Sequence, residues 1–285
     1  MDLHTLTKSL EGKLYHDKTM RTLYATDASA YREFPLAVAV PVTKEDIRKL
    51  ILYAREHKGS IIPRAAGTSL AGQVVGKGII VDISQHFNSI ISIDKKEKTA
   101  WVQPGVVRDE LNAFLHSYGL FFGPETSTSN RCMIGGMVGN NACGARSLVY
   151  GSTREHLLEI KGFLADGKEV TFGELSNEEF EAKCQGINVV SELEQSIYLQ
   201  AKAILSSAHN RALFDENYPK KSIPRRNTGY ALDLLAASQP FNPTGKKFNF
   251  CKLIAGSEGT LFFATDIKIN LVDALKPFSA LICIH

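Results

Sequence analysis

The glycines of this chain gather in two dense runs, and that clustering constrains the fold more than any other feature. A stretch of small residues lets the main chain approach a neighbour at a distance that a β-carbon would forbid. The first run is Pro63-Arg64-Ala65-Ala66-Gly67-Thr68-Ser69-Leu70-Ala71-Gly72. Successive N–H groups in such a loop converge into an anion nest. Each charge-assisted hydrogen bond to a phosphate is worth roughly 1.5–3 kcal/mol, so about four or five hold a diphosphate with little net positive charge. Arg64 adds a cation at the edge. A tight turn between two strands accounts for the same residues, and the run alone leaves both readings open.

The second run covers residues 123–144, through Ile134-Gly135-Gly136 and Gly139-Asn140-Asn141-Ala142-Cys143-Gly144. It reads as a long structureless loop, and such a loop inside a compact domain is usually functional. Its hydroxyls, side-chain amides and glycines suit the many polar edges of a nucleotide or flavin. Two better-known phosphate motifs are excluded. Gly72-Gln73-Val74-Val75-Gly76-Lys77-Gly78 is one residue short of a P-loop, and Gly78 stands where the magnesium-binding Ser or Thr belongs. No G-x-G-x-x-G follows a strand, so a Rossmann dinucleotide site is unsupported.

The surrounding pattern is mixed helix and strand. Residues 1–32 read as an N-terminal helix and a surface arm. Leu36-Ala37-Val38-Ala39-Val40 reads as a buried strand. Thr43 and Asp46 form a capping box for a helix with Ile47, Leu50, Ile51 and Ala54 on one face. Gly59 stops that helix, and Ser60-Ile61-Ile62-Pro63 is the next strand, giving a βαβ unit with parallel strands. A third strand follows at residues 78–83. Two hairpins are expected, one turning at residues 94–98 and one at Asp166-Gly167. A helix lies between them, with Leu111, Phe114, Leu115 and Tyr118 on one face and Gly119 at its end. Residues 174–224 look like an insertion with one amphipathic helix (Leu193, Ile197, Ala201, Ile204, Leu205) and a polar tail. Leu253-Ile254-Ala255-Gly256 and residues 261–271 read as strands.

Composition narrows the function classes. The formal net charge of +3 shows no dense basic stripe, which argues against nucleic-acid binding. The longest apolar run, residues 36–42, is far short of the roughly 20 residues of a membrane helix. The N-terminus has no apolar signal segment. The cysteines (132, 143, 184, 251 and 283) are odd in number with no C-x-x-C pair, which argues against a disulfide framework, a metal site or an iron–sulfur cluster within the chain. A cytoplasmic protein is expected, with the inner-membrane periphery as an alternative.

Four motifs occur in order: residues 63–72, Ile134 to Gly144 as I-G-G-x-x-x-N-N-x-x-G, Tyr150-Gly151, and Gly256-Ser257-Glu258-Gly259-Thr260-Leu261. Together they resemble the FAD-binding (PCMH) domain of vanillyl-alcohol-oxidase-type flavoproteins. The resemblance is to the branch that holds D-lactate dehydrogenase, the flavin chain of glycolate oxidase, and D-2-hydroxyglutarate dehydrogenase. Thr26-Asp27-Ala28-Ser29-x-Tyr31 and Arg226-Asn227-Thr228-Gly229-Tyr230 resemble the bacterial members fused to an iron–sulfur region.

The resemblance implies an α+β fold of two α/β subdomains with FAD between them. Residues 33–90 would form the first subdomain, 91–272 the second, and 273–285 the start of a truncated cap domain. It implies a pyrophosphate cradle of Arg64, Ala65, Ala66, Gly67, Thr68, Ser69 and Gly72, with Pro104 and Gly105 beside the nucleotide half. It also brings Pro124, Ser129, Ile134, Gly135, Gly136, Gly139, Asn140, Asn141, Gly144, Tyr150, Glu258 and Gly259 to the cofactor. Relatives that bind FAD covalently carry a histidine where Thr68 stands, so noncovalent FAD is expected, Cys132 and Cys143 being the nearby thiols.

Phe262-Phe263 follow the last motif where the family often has Gly, so the last strand is expected to pack differently. Arg225, Arg226 and Asn227 are the candidates for a substrate carboxylate, against a solvated basic turn. His116 and His156 read as surface or packing residues, Trp101 as core. The catalytic base is expected in the cap domain, outside the chain, and any iron–sulfur cluster in a C-terminal region absent from it. The implied activity is an FAD-dependent D-2-hydroxyacid (D-lactate-like) dehydrogenase, passing hydride from substrate C2 to flavin N5 and electrons to an iron–sulfur region, a quinone or another acceptor. The alternatives are a sugar or aldonolactone oxidase of the same fold and a non-catalytic FAD-binding partner in a multi-chain oxidase.

Overall fold

The computed structural model describes residues 3–220, 222–223, 225–226 and 229–275. Two sheets organise them. The first has the strand order Lys13–Tyr15, Ala37–Val40, Ile79–Asp82, Ile61–Arg64. Its last three strands are parallel. The strands flanking the expected βαβ helix are therefore co-directional, but Ile79–Asp82 lies between them. Its four residues are all buried, as a central strand requires. The N-terminal segment contributes an antiparallel edge strand, Lys13–Tyr15, rather than only a helix and an arm.

The capping box forms as the sequence indicates. Thr43 and Asp46 bond each other's backbone at the start of Lys44–Glu56, and Ile47, Leu50, Ile51, Tyr53 and Ala54 are buried. Full burial of a residue such as Leu50 is worth about 1.5–3 kcal/mol. Asp46 also accepts the N–H groups of Glu11 (2.8 Å), Gly12 (2.9 Å) and Val42 (3.0 Å), so one carboxylate fixes both the helix and the N-terminal segment.

The second sheet is antiparallel, in the order Ile90–Asp94, Thr99–Val102, Phe263–Asn270, Leu157–Phe163, Glu169–Phe172. Both expected hairpins are present, and Gly167 takes the left-handed φ of 74° that the second turn demands. Helices Asn177–Cys184, Glu192–Ser206 and Ala208–Asn217 cover one side, the last occupying part of the expected polar tail. They enclose an aromatic core in which Phe180 packs on Phe248 at 4.7 Å and Tyr198 on Phe250 at 5.1 Å.

Phe163 and Phe263 of the second sheet enter the core of the first. Phe263 thus packs across the boundary between the sheets. Across the same boundary, Lys44 Nζ pairs with Asp266 (2.6 Å) and Glu169 (2.7 Å). These contacts set the two sheets side by side and leave a cleft between their glycine loops. No helix among the described residues is long and apolar enough to cross a membrane.

Candidate functional site

The cleft, of about 460 Å³, is built from three loops. The first leaves strand Ile61–Arg64, the second surrounds helix Ile134–Gly139, and the third turns before strand Phe263–Asn270. Its size lies within the roughly 300–1,000 Å³ typical of cofactor sites.

In the first loop, Gly67 has φ 65°. Among the described residues, the N–H groups of residues 66–70 donate no hydrogen bond to the protein. That is the donor set of a nest awaiting an anion. Arg64 does not supply a free cation. Its guanidinium donates to Tyr24 O (3.2 Å) and Thr26 O (2.9 Å) and lies over the Tyr24 ring. Burial lowers its pKa, against the pull of Tyr24, Asp27 and Asp82. The Thr26-to-Tyr31 motif has a structural job here. Ala28 N–H donates to Gly67 O at 3.1 Å, and Tyr31 packs where a β-carbon on Gly72 would stand. The arm braces the outside of the loop.

The second run is not structureless. Helix Ile134–Gly139 forms inside it, with Ile134, Met137 and Val138 buried. Gly135 is required by its support, since a β-carbon there would lie 2.5 Å from Pro104 Cβ. Gly136 faces Ala65 across the cleft, 3.4 Å from where its own β-carbon would be.

The third loop also departs from expectation. Residues 253 and 254 belong to a helical turn, Cys251–Ile254, not a strand. After it Gly256, Glu258 and Gly259 all take left-handed φ (91°, 55° and 75°). The buried Arg154 holds this turn, donating to Ala255 O (2.6 Å) and Gly229 O (3.0 Å). Glu258 N–H donates to Gly139 O at 2.9 Å, which ties the third loop to the second. Glu258 Oε1 accepts from Gln73 Nε2 at 2.7 Å, which ties it to the first.

Of the residues singled out in the sequence, Arg64, Ala65, Ala66, Gly67, Thr68, Ser69, Pro104, Gly135, Gly136, Gly139, Asn140, Glu258 and Gly259 line the cleft. Eight stand behind it. Gly72 meets Tyr31, Gly105 the Ile83 and Phe87 carbonyls, and Gly144 the Glu125 backbone. Ser129 donates to Asp109, Pro124 accepts from Arg108, and Ile134 is core. Asn141 is fully buried, accepting from Ser152 Oγ and Arg154 N at 2.8 Å, with its Nδ2 unpartnered. Tyr150 packs on Phe121.

Lining residues that sequence reasoning missed include Gln73, Thr126, Thr128, Ser257 and Phe262. Gln73 sits inside the failed P-loop match, which hides it, and only the hydroxyl-rich character of residues 126–129 points to the threonines. Cys132 and Cys143 both line the cleft. Cys132 is buried, which raises its thiol pKa, and Thr126 Oγ1 lies 3.2 Å from its sulfur.

The substrate candidates separate. Arg225 Nε is 3.1 Å from Cys143 Sγ, at the cleft rim. Arg226 is ion-paired with Asp233 and largely buried, so it is not a solvated turn and its charge is already matched. Asn227 lies outside the described residues. His116 is exposed, whereas His156 is buried between the Tyr150 and Asn270 carbonyls. Trp101 is not core but half-exposed, beneath Lys161 at 4.6 Å.

Residues 35–173 match a family described as FAD binding domain. This chain carries an FAD-binding domain of that family. The D-2-hydroxyglutarate dehydrogenase of Pseudomonas putida is 34% identical over 268 residues, 93% of this chain and 25% of that protein. That of Escherichia coli K12 is 35% identical, covering 88% of this chain and 24% of its own length. The glycolate oxidase subunit GlcD of Bacillus subtilis is 35% identical over 54% of this chain and 33% of its own. The chain therefore spans about a quarter of the length of the dehydrogenases it matches. Among solved structures, an alkyldihydroxyacetonephosphate synthase superposes with a TM-score of 0.59 at 17% identity, over 91% of this chain and 38% of that one. The 6-hydroxy-D-nicotine oxidase of Arthrobacter nicotinovorans gives 0.57 at 16%, over 93% and 43%. At these identities the likeness shows the fold, that of the PCMH flavoproteins. The cleft of the FAD domain fits its cofactor chemically, with unsatisfied N–H groups for a diphosphate and an apolar wall of Ile160, Ile254 and Phe262 for a ring system.

Proposed function

We propose that this chain is the FAD-binding portion of a flavin-dependent D-2-hydroxyacid dehydrogenase. The single observation that carries the cofactor half of the reading is the row of undonated N–H groups at residues 66–70, facing the glycine face of helix Ile134–Gly139. They hold the pyrophosphate without a lysine or free arginine, as a nest does. Gly135 and Gly136 keep the facing wall low. Thr126, Thr128, Ser257 and Glu258 offer polar partners along the cleft, and Phe262 an aromatic wall. When bound, FAD supplies the hydride acceptor, while the protein orients it and excludes water.

The substrate half rests on the relatives named for 2-hydroxyglutarate and glycolate. They make a D-2-hydroxy dicarboxylate, ahead of D-lactate, the first acid to test. Arg225 at the rim is the cation best placed to meet a carboxylate. The base acts from outside these residues, and electrons pass to an iron–sulfur region or another acceptor also outside them. A noncovalent attachment follows from Thr68 in place of a histidine.

The test has two stages. The purified protein should show flavin absorption that moves to the supernatant on heat precipitation; a yellow pellet refutes noncovalent binding, and a colourless protein that FAD cannot reconstitute refutes the cofactor reading. In the full-length protein the flavin should then be bleached anaerobically by D-2-hydroxyglutarate and not by its L-enantiomer or an aldonolactone. Bleaching by the lactone alone would make it a sugar-type oxidase, and bleaching by neither would favour a non-catalytic role.

A further inference from the structure

One side chain joins all three loops of the cleft. Gln73, on the first loop, donates from Nε2 to Asn140 Oδ1 at 2.9 Å and to Glu258 Oε1 at 2.7 Å. All three residues line the cleft. The Glu258 carboxylate only accepts, so the amide nitrogen must face it and the orientation of the amide is fixed. Gln73 Oε1 is then left buried and without a partner. An interaction that costs an unsatisfied acceptor is not incidental packing.

Glu258 is itself held in a costly state. Its φ of 55° is left-handed, uncommon for a residue with a β-carbon. Such backbone persists where the surroundings over-determine it, and it gathers at ligand sites. Here the surroundings are the Gly139 carbonyl behind Glu258 and the Gln73 amide before it. The two attachments differ in reach. Gly139 and Glu258 both belong to the side of the second sheet, whereas Gln73 crosses from the loop that follows the first.

We propose that Gln73 is a positioning residue for the cofactor: by tying Asn140 and Glu258 to the first glycine loop, it fixes the width of the cleft and governs how fast FAD leaves. This rests on the cofactor reading above. Gln73 acts through Asn140 and Glu258, which it orders, and not through the reacting atoms.

The experiment measures FAD release from the loaded protein by the rise in flavin fluorescence after dilution, for wild type, Gln73→Leu, Gln73→Glu, and the exchange Gln73→Glu with Glu258→Gln. Losing two hydrogen bonds of ordinary net strength should speed release about tenfold in Gln73→Leu. Gln73→Glu should be faster still, because two carboxylates then face each other. The exchange restores one donor and one acceptor with the polarity reversed, and release should return towards the wild-type rate. Apoprotein melting temperatures should fall by no more than a few degrees, about the worth of two such hydrogen bonds, so that every variant is folded at the assay temperature. Wild-type release rates in Gln73→Leu and Gln73→Glu would overturn the proposal while leaving the cofactor reading intact. So would an exchange variant that releases as fast as Gln73→Glu. A wild-type protein that holds no FAD would overturn both.

Discussion

Replacing Gly136 by alanine separates stability from cofactor binding at one atom. Gly136 lies in helix Ile134–Gly139 and is not one of the glycines with positive φ. Alanine at a helix interior is favoured over glycine by about 0.8–1.0 kcal/mol. The added β-carbon would meet only Ala65 Cβ, at 3.4 Å, which is van der Waals contact rather than collision. The protein should therefore gain stability, raising the apoprotein melting temperature by about 2 °C for a domain of this size. The same methyl group projects from the wall of the cleft beside Ala65, and on the proposed reading the cofactor lies against that wall. Over-filling a packed site costs about 1–3 kcal/mol, so FAD affinity should fall about tenfold or more. Calorimetric unfolding of the apoprotein and a flavin fluorescence titration read the two effects separately. Unchanged affinity would refute contact between the cofactor and this part of the wall. A lower melting temperature would refute the packing argument.

Two further outcomes follow from buried polar groups. Burial opposes the charge of Asp46, but the backbone N–H groups of Val42, Glu11, Gly12 and Thr43 outweigh it and hold its pKa below the ordinary carboxylate value. A depressed folded pKa gives stability that is present above the unfolded pKa and lost as pH falls through the folded one. Asp46→Asn should therefore cost about 1–2 kcal/mol in urea unfolding at pH 7, and the deficit should shrink below about pH 4; a pH-independent deficit refutes the charge argument. Arg154→Ala should cost about 3 kcal/mol by leaving the Ala255 and Gly229 carbonyls without their donor, with Arg154→Lys intermediate, measured as the shift of the denaturation midpoint. Wild-type stability in Arg154→Lys would show that the cation, not its forked geometry, holds the turn.

Much of the scaffold was legible because its causes are local. The Thr43–Asp46 capping box and the Asp166-Gly167 hairpin are specified by residues within one turn of each other, and both form. The glycine runs pointed to a cleft because missing β-carbons are visible in sequence, and thirteen of the twenty-one residues that the resemblance assigned to the cofactor line it. Others, such as Gly72 and Asn141, belong to the same motifs but support the wall from behind. A motif records that a position is constrained, and packing decides whether a ligand or the protein imposes the constraint.

What failed to be legible was non-local. Leu253-Ile254-Ala255 is apolar enough for a strand, but residues 251–254 close into a helical turn against helix Thr153–His156 and strand Leu157–Phe163. Lys13–Tyr15 is too short to announce itself, and it becomes a strand only because Ala37–Val40 offers it an edge. The sequence by itself determined the periodicities, the caps, the tight turns and the two flexible-backbone segments that a large anionic cofactor needs. Only the tertiary structure decided that Ile79–Asp82 lies between the two strands of the βαβ unit, that Arg64 and Arg226 are committed to internal partners, and that Gln73 and Arg154 hold the cleft. Most of those outcomes depend on contacts between residues tens to hundreds of positions apart, whose energies no local pattern encodes.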